Sequence, residues 1–233
     1  MITVLIISQN QSNHTISMVQ SLRAQLPSIK RLFILDRCTD NTASILSELN
    51  EQYIEKHTGN GFEAGATRDF GLNYINDNDD VLLLDGDRIP INLSIDLLSF
   101  AVKNYDSTLL KAERDYRKWF KESFTLNPKI SQPNNEFATC GCLLKRSVID
   151  NIRNQQNGRL FNPIFDGNWG LEDYYLGYLI HHNNFSCAGF PNSLYVMGGV
   201  GTSDNIPYKI FGASINRPKY YSLIKTYKPT TQL

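Results

Sequence analysis

The first half of the chain alternates short apolar runs with stretches whose apolar residues recur every three or four positions. Such alternation predicts parallel strands covered by helices. Residues 4–8 read as a first strand, 31–36 as a second, 52–57 as a short third and 81–84 as a fourth. Between the first two, Ile16, Val19, Leu22 and Leu26 keep helical spacing, Ser12 or Asn13 suits the N-cap, and Pro27 stops the pattern. Asp40 suits the cap of a second helix that turns Ala43, Ile45, Leu46 and Leu49 inward. Residues 62–75 predict a third helix, and Pro90 opens the connection to a fourth through Ile95, Leu98 and Val102.

From about residue 105 the pattern changes. A strand near Leu109 and Leu110 gives way to a polar and aromatic segment, 113–136, rich in Lys and Arg, of the kind that shapes binding sites as a loop. Residues 137–144 predict a further strand and 147–154 a short helix. A turn at 167–170 leads into a helix over 171–182, and strands at 186–188 and 194–197 finish the core. No internal repeat is evident.

At 233 residues, with no low-complexity tract, the chain fits one globular domain. No apolar segment approaches the roughly 20 residues needed to span a bilayer, and the run from Ile2 to Ile7 lacks the basic flank and cleavage site of a leader. A soluble protein is expected, attached at most peripherally to a membrane. Cys38, Cys140, Cys142 and Cys187 form no dense framework, and Cys140-Gly141-Cys142 is too tight for an unstrained disulfide, so a reducing cytoplasm is the simpler setting. A zinc site lacks its second close pair of ligands.

The formal net charge of zero excludes a uniformly basic surface for nucleic acid. The charge is nonetheless uneven. No acid follows Asp204, whereas Lys209, Arg217, Lys219, Lys225 and Lys228 lie among Tyr208, Phe211, Tyr220, Tyr221 and Tyr227. Residues 205–233 therefore read as a basic, aromatic tail, solvated and packed by its tyrosines or turned toward phosphates.

Candidate chemistry concentrates where the fourth strand ends, in Asp85-Gly86-Asp87. Mg2+ and Mn2+ are commonly held by one or two carboxylates together with substrate phosphates and water. Residues i and i+2 of an extended chain face one side, and Gly86 permits a turn and a close approach. Asp-Gly is also a common turn signal, so the pair alone does not decide. In an open sheet, ligands settle beyond the carboxyl ends of the strands. That rule sets residues 8–10, 36–38 and 85–87 on one rim.

Five ordered motifs across residues 2–200 resemble the GT-A nucleotide-sugar glycosyltransferases, most closely glycosyltransferase family 2. Ile6-Ile7-Ser8-Gln9-Asn10 resembles the first-strand end that contacts the donor nucleoside, with Ser8 and Gln9 where the family often has Thr and Tyr. Leu35-Asp36-Arg37-Cys38-Thr39-Asp40 is similar to the second-strand motif, in which the residue matched by Asp36 binds the base. Gly65-Ala66-Thr67-Arg68-Asp69-Phe70-Gly71 resembles the family's Ala-Arg-Asn-x-Gly helix, with Thr67 and Asp69 as departures. Asp85-Gly86-Asp87 stands in the place of the DxD motif, and Trp169-Gly170-Leu171-Glu172-Asp173 resembles Trp-Gly-x-Glu-Asp.

The resemblance implies an α/β, GT-A (Rossmann-like) mixed, mostly parallel sheet flanked by helices in a single domain over 1–204. Residues 1–104 would form its nucleotide-binding half and 105–204 its acceptor half. It implies a divalent cation, Mn2+ or Mg2+, held by Asp87 and Asp85, and a nucleoside-diphosphate sugar as donor, with a UDP-sugar favoured. Ser8, Gln9, Asn10, Asp36, Arg37, Arg68, Asp85, Gly86 and Gly141 would bind that donor, Gly141 by leaving space for the sugar. Asp173 would be the general base of an inverting transfer, Glu172 would orient the acceptor, and Trp169 would offer a stacking face. Acids in a helix's first turn also simply complement its dipole. The later His that many GT-A enzymes add as a metal ligand is missing, Met197 standing near its place, and Gly198, Gly199 and Gly201 suit a closing loop.

Two other readings compete. A nucleotidyltransferase would carry a glycine-rich basic loop after the first strand, and residues 8–12 have none. A non-catalytic nucleotide-sugar binding module would keep the fold without the chemistry. The acceptor is open among a glycan, a lipid-linked sugar, a protein and a hydroxymethylated base in nucleic acid, and the oligomeric state is open too.

Overall fold

The computed structural model describes residues 1–61, 63–112, 139–168, 170–196 and 206–226. The expectations placed on Phe62, on 113–136, on Phe137 and Ala138, on Trp169, on 197–201 and on Tyr227 and Lys228 lie outside these residues.

The chain runs through β1 (Ile2–Ser8), α1 (Ser12–Gln25), β2 (Lys30–Asp36), α2 (Thr42–Glu48), β3 (Tyr53–Lys56), α3 (Ala64–Leu72) and β4 (Asp80–Asp85). It continues through β5 (Arg88–Pro90), α4 (Ile95–Asn104), β6 (Ser107–Ala112), β7 (Gly141–Leu144) and α5 (Arg146–Gln155). A short 3-10 turn (Pro163–Phe165), α6 (Glu172–His182), β8 (Cys187–Val196) and α7 (Ile206–Thr226) complete it. The strands form one sheet in the order β3-β2-β1-β4-β7-β6-β8-β5. The β3, β2, β1 and β4 strands are mutually parallel, as are β6 and β8, whereas β7 runs antiparallel to β4 and β6, and β5 to β8.

Side-chain alternation sorts the core into two layers. Leu5, Ile34 and Leu83 face the layer that holds Leu72 of α3, Val148 and Ile152 of α5, Leu176 of α6 and Tyr220 of α7. Val4, Ile6, Leu82 and Leu84 face Met18, Val19 and Leu22 of α1, Leu46 of α2 and Leu98 of α4. The parallel strands thus read as near-continuous apolar runs because both of their faces are covered.

Several local expectations change. Ile16 is 46% exposed, and Thr15 and Met18 take the inward positions of α1. Gln11 is its N-cap, without a side-chain bond. Asp40 instead serves two helix starts, accepting from the Ser12 N–H at 2.9 Å and from the Thr42 N–H at 3.1 Å. The two strands expected at 186–188 and 194–197 are one continuous strand, β8. The three-residue β5, whose Pro90 suits a sheet edge, was too short to leave a pattern. Within the stretch read as a tail, residues 206–226 are helical.

Asp69, a departure from the resembled motif, is a tie in the fold. Its buried carboxylate accepts from the Leu160 N–H at 2.7 Å, the Phe161 N–H at 3.1 Å and Arg159 Nε at 3.2 Å. That clamp holds α3 against the chain after α5 and sets the neighbouring Arg68 over the Phe161 ring, 5.6 Å from its centroid.

Candidate active site

The parallel register brings the predicted rim together. Ser8 pairs opposite Leu35 and Ile7 opposite Asp85, so β1, β2 and β4 end side by side. Gly86 turns immediately beyond, its N–H donating to the Ile7 carbonyl at 2.8 Å, and a Cβ on it would stand 3.0 Å from Ser8 Oγ. Glycine suits that place because the turn packs directly on the end of β1. Gln9 and Asn10 follow on the same rim, and the Asn10 Oδ1 accepts from the Thr39 N–H at 2.8 Å, joining the loops after β1 and β2.

Asp36 is buried at the end of β2. Arg37 donates to it twice, Nε to Oδ1 and Nη2 to Oδ2, both at 2.8 Å, and Lys56 Nζ donates to Oδ1 at 3.2 Å. These three donations leave about one of a carboxylate's roughly four acceptor places. Lys56, at the end of β3, also bonds the Thr58 carbonyl at 2.7 Å and Glu63 at 3.2 Å. Sequence reasoning missed Lys56, which sits in a strand whose pattern gives its end no distinction.

The central feature is Arg68. It is 3% exposed, its Nη2 donates to Asp85 Oδ1 at 2.6 Å, and its Nη1 lies 4.0 Å from Asp173 Oδ1. One guanidinium therefore joins the acid at the end of β4 to the acid at the start of α6. Burial alone would lower the Arg68 pKa, but Asp85, Asp173 and Glu172 around it outweigh that and raise it. Its Nε and Nη1 have no hydrogen-bond partner. Cys140 lies in the same neighbourhood, its thiol pushed up to about 12 by burial, with Arg88, Asp85, Asp173 and Arg68 acting on it.

Asp173 is held by Thr139, whose N–H donates to Oδ2 at 3.2 Å and whose hydroxyl donates to Oδ1 at 2.5 Å. Its pKa is raised by burial, with Arg68 and the Thr139 bonds pulling the other way. Glu172 is more extreme. Burial and the adjacent Asp173 push it up to about 8, despite Arg68, and its Oε2 is buried without a hydrogen-bond partner. Two neighbouring carboxyls, Glu172 buried and Asp173 partly so, share protons as a pair. Asp173 has the donors, so Glu172 is the proton holder at neutral pH. Nothing local in the sequence tied Thr139 to Asp173, 34 residues away.

Backbone strain marks the same places. Among the described residues, those with positive φ that are neither Gly nor Asn are Arg37 (φ 51) and Leu171 (φ 75). Asn enters the left-handed region readily, whereas Arg and Leu do so at a cost of about 1–2 kcal/mol. Both flank site acids, Asp36 and Glu172. Such strain persists only where surrounding structure over-determines it.

The Asp85 and Asp87 carboxylates fit the hard-oxygen chemistry of a divalent cation. The Asp87 pKa is raised by burial and by Asp85, with Arg88, its partner at 3.5 Å, offsetting part. A cation between two such acids relieves their repulsion. Among the described residues no set of three or more His, Cys, Asp or Glu could hold a metal, so phosphate oxygens and water would complete the shell. A Cβ on Gly141 would run into Leu194 Cδ1 and the Leu110 carbonyl, so its small size is required by strand packing.

The proton on Glu172 has a consequence for stability. Its folded pKa, about 8, lies above its ordinary 4.5. Between those values the folded protein holds a proton that the unfolded chain has lost, so stability falls as pH rises through the window. Glu172→Gln removes the titration. The melting temperature of the variant relative to the wild type is expected to climb from about pH 5 to about pH 8 and then level off. Parallel melting curves across that range would contradict the assignment.

No model of a protein family matches the chain, and no match is found among curated proteins. Solved structures do match. S. aureus TarS residues 1–349 is 15% identical, with a TM-score of 0.59 over 84% of this chain and 60% of that one. The mannosyltransferase PcManGT from Pyrobaculum calidifontis, solved with GDP-Man and Mn2+, is 15% identical, with a TM-score of 0.69 over 98% of this chain and 65% of that one. Glucosyl-3-phosphoglycerate synthase from Mycobacterium tuberculosis, solved with Mn2+ and UDP-glucose, is 12% identical, with a TM-score of 0.65 over 99% and 80%. The chain spans 60% of TarS 1–349 and 40% of TarS. Among the described residues no helix is long and apolar enough to cross a membrane. At these identities the likeness shows the fold, and the chain has the GT-A fold that its motifs led us to expect.

Proposed function

We propose that the protein is a metal-dependent glycosyltransferase that moves a sugar from a nucleoside-diphosphate sugar to an acceptor hydroxyl, with inversion and with Asp173 as general base. The observation that carries this reading is the Arg68 bridge from Asp85 to Asp173, which sets a donor-side acid and an acceptor-side acid at one guanidinium. The solved structures that share the fold include complexes with Mn2+ and GDP-Man or UDP-glucose.

In this reading Asp87 and Asp85 hold the cation, Mn2+ or Mg2+. The cation, when bound, neutralises charge that builds on the departing diphosphate. The acceptor oxygen bonds to the anomeric carbon as the bond from that carbon to the diphosphate oxygen breaks, and the hydroxyl proton passes to Asp173. Thr139 holds the Asp173 carboxylate in place for that transfer. Arg68, with two nitrogens free of hydrogen bonds, steadies the negative charge of both sides. Glu172, protonated, donates to an acceptor oxygen.

Ser8, Gln9, Asn10, Asp36 and Arg37 line the place for the base. Asp36 has about one acceptor place left, which suits the single imide N–H of uracil better than the paired donors of guanine. A UDP-sugar is therefore the favoured donor. The acceptor class, whether glycan, lipid-linked sugar, protein or modified nucleic-acid base, stays with the experiment. Incubation with a panel of UDP- and GDP-sugars, with Mn2+ or with chelator, followed by mass spectrometry, is expected to show metal-dependent release of UDP from one donor. Turnover of no sugar nucleotide, or release that persists in chelator, would overturn the reading.

A further inference from the structure

The C-terminal helix α7 lies against the segment that carries the acid pair. Asn216, at its middle, is fully buried. Its Nδ2 donates to the carbonyls of Gly170 at 2.8 Å and Asn168 at 3.2 Å, with the Phe165 carbonyl at 3.5 Å. Its Oδ1 accepts from Lys219 Nζ at 3.1 Å, and the same ammonium donates to the Ile164 carbonyl at 2.7 Å. One amide and one lysine thus tie down four carbonyls, Ile164 and Phe165 in the 3-10 turn and Asn168 and Gly170 between that turn and α6.

Beyond these bonds the stretch is held by the Arg159–Asp166 ion pair at 3.0 Å and by turn bonds from the Asp166 and Asn168 N–H groups. Gly167, Gly170 and Leu171 all have positive φ, and Leu171, the N-cap of α6, makes no side-chain cap bond. Buried carbonyls without partners cost free energy, and left-handed non-glycine backbone must be held by its surroundings. Glu172 and Asp173 follow Gly170 by two and three residues, so a shift of the Gly170 carbonyl passes directly to their side chains. A group transfer can lose about 100-fold in rate from a displacement of roughly 1 Å.

We propose that Asn216 is a positioning residue: from α7 it latches the Phe165, Asn168 and Gly170 carbonyls and so sets the acid pair against Arg68 and Thr139. The consequence for turnover rests on the proposed role of Asp173; the latch itself does not. Asn216→Ala is the test, read in two ways. Hydrogen exchange of amides in 166–173 is expected to speed up about tenfold or more while those of β1 and β4 stay unchanged. Turnover of the UDP-sugar that the wild type hydrolyses is expected to fall about tenfold or more in kcat, with the affinity for UDP and Mn2+ within about twofold.

Tyr178→Phe, which removes the hydroxyl that donates to the Ile224 carbonyl at 3.2 Å, loosens α7 away from the loop and is expected to leave both readouts near wild type. Should Asn216→Ala not fold, Asn216→Ser keeps one donor and is read in the same assays. Exchange that is unchanged, or that rises uniformly through the sheet, would overturn the latch. Faster exchange at 166–173 with unchanged kcat would overturn the positioning role. A wild type that turns over no sugar nucleotide would sink the proposed function and leave the exchange result to decide the latch.

Discussion

Asp173→Asn is expected to lower turnover by about 10²- to 10⁴-fold, the usual worth of a positioned general base, while UDP and Mn2+ still bind within about twofold of the wild type. The substitution keeps the shape, and the Asn Oδ1 can still accept from the Thr139 hydroxyl, so the site should stay assembled. What is lost is a group able to take the acceptor's proton. Glu172 does not readily replace it, because its burial, the largest cause of its raised pKa, remains in the variant and still disfavours the carboxylate that a base needs. Loss confined to kcat is the mark of an interaction made in the transition state. Calorimetric binding beside single-turnover hydrolysis measures both halves. A variant that keeps more than about a tenth of wild-type turnover would remove Asp173 from the base role.

Arg68→Ala is expected to cost about 3–5 kcal/mol of stability at neutral pH, the range for removing one partner of a buried ion pair. For a chain of this size that corresponds to a fall in melting temperature of roughly 6–20 °C. The large effect comes from what remains. Asp85 and Asp173, with Glu172 beside them, lose a buried cation that faces all three. Protonation relieves uncompensated carboxylates, so the deficit relative to wild type should shrink as pH falls toward the ordinary Asp range. Denaturant unfolding at about pH 7 and about pH 4.5 tests both the size and the sign. A loss below about 1 kcal/mol at neutral pH would mean that water already screens the acids.

The elements that could be read in advance share a property. The strands β1, β2 and β4 are buried on both faces, so four or more consecutive apolar residues announce them, and the turn-forming residues after each run mark the rim. The helix α4 begins at Ser94, whose hydroxyl accepts from the Leu97 N–H, with apolar residues at helical spacing behind it. By contrast α7 carries no one-sided apolar stripe and contains Pro218, a residue that argues against a helix interior. It docks through a buried amide, a lysine and Tyr220, none of which differs in sequence from a solvated tail. Ile16 failed for a related reason, because helical spacing gives a face only up to a rotation that packing decides.

The sequence by itself determined the order of strands and helices from β1 to β4, the clustering of Ser8, Asp36 and Asp85 on one rim, and which acids stand in the matching positions of the GT-A motifs. These are short-range facts, carried by spacing along the chain and by the rule that parallel strands end together. Only the tertiary structure decided that Arg68 spans the two acid sets, that Thr139 orients Asp173, that Glu172 keeps its proton, and that Asn216 latches the loop before them. Each of those depends on residues brought together from distant segments and on how much water is excluded where they meet. Burial and pairing shift the pKa values of Glu172, Asp173 and Asp87, and neither is a property of a residue's place in the sequence.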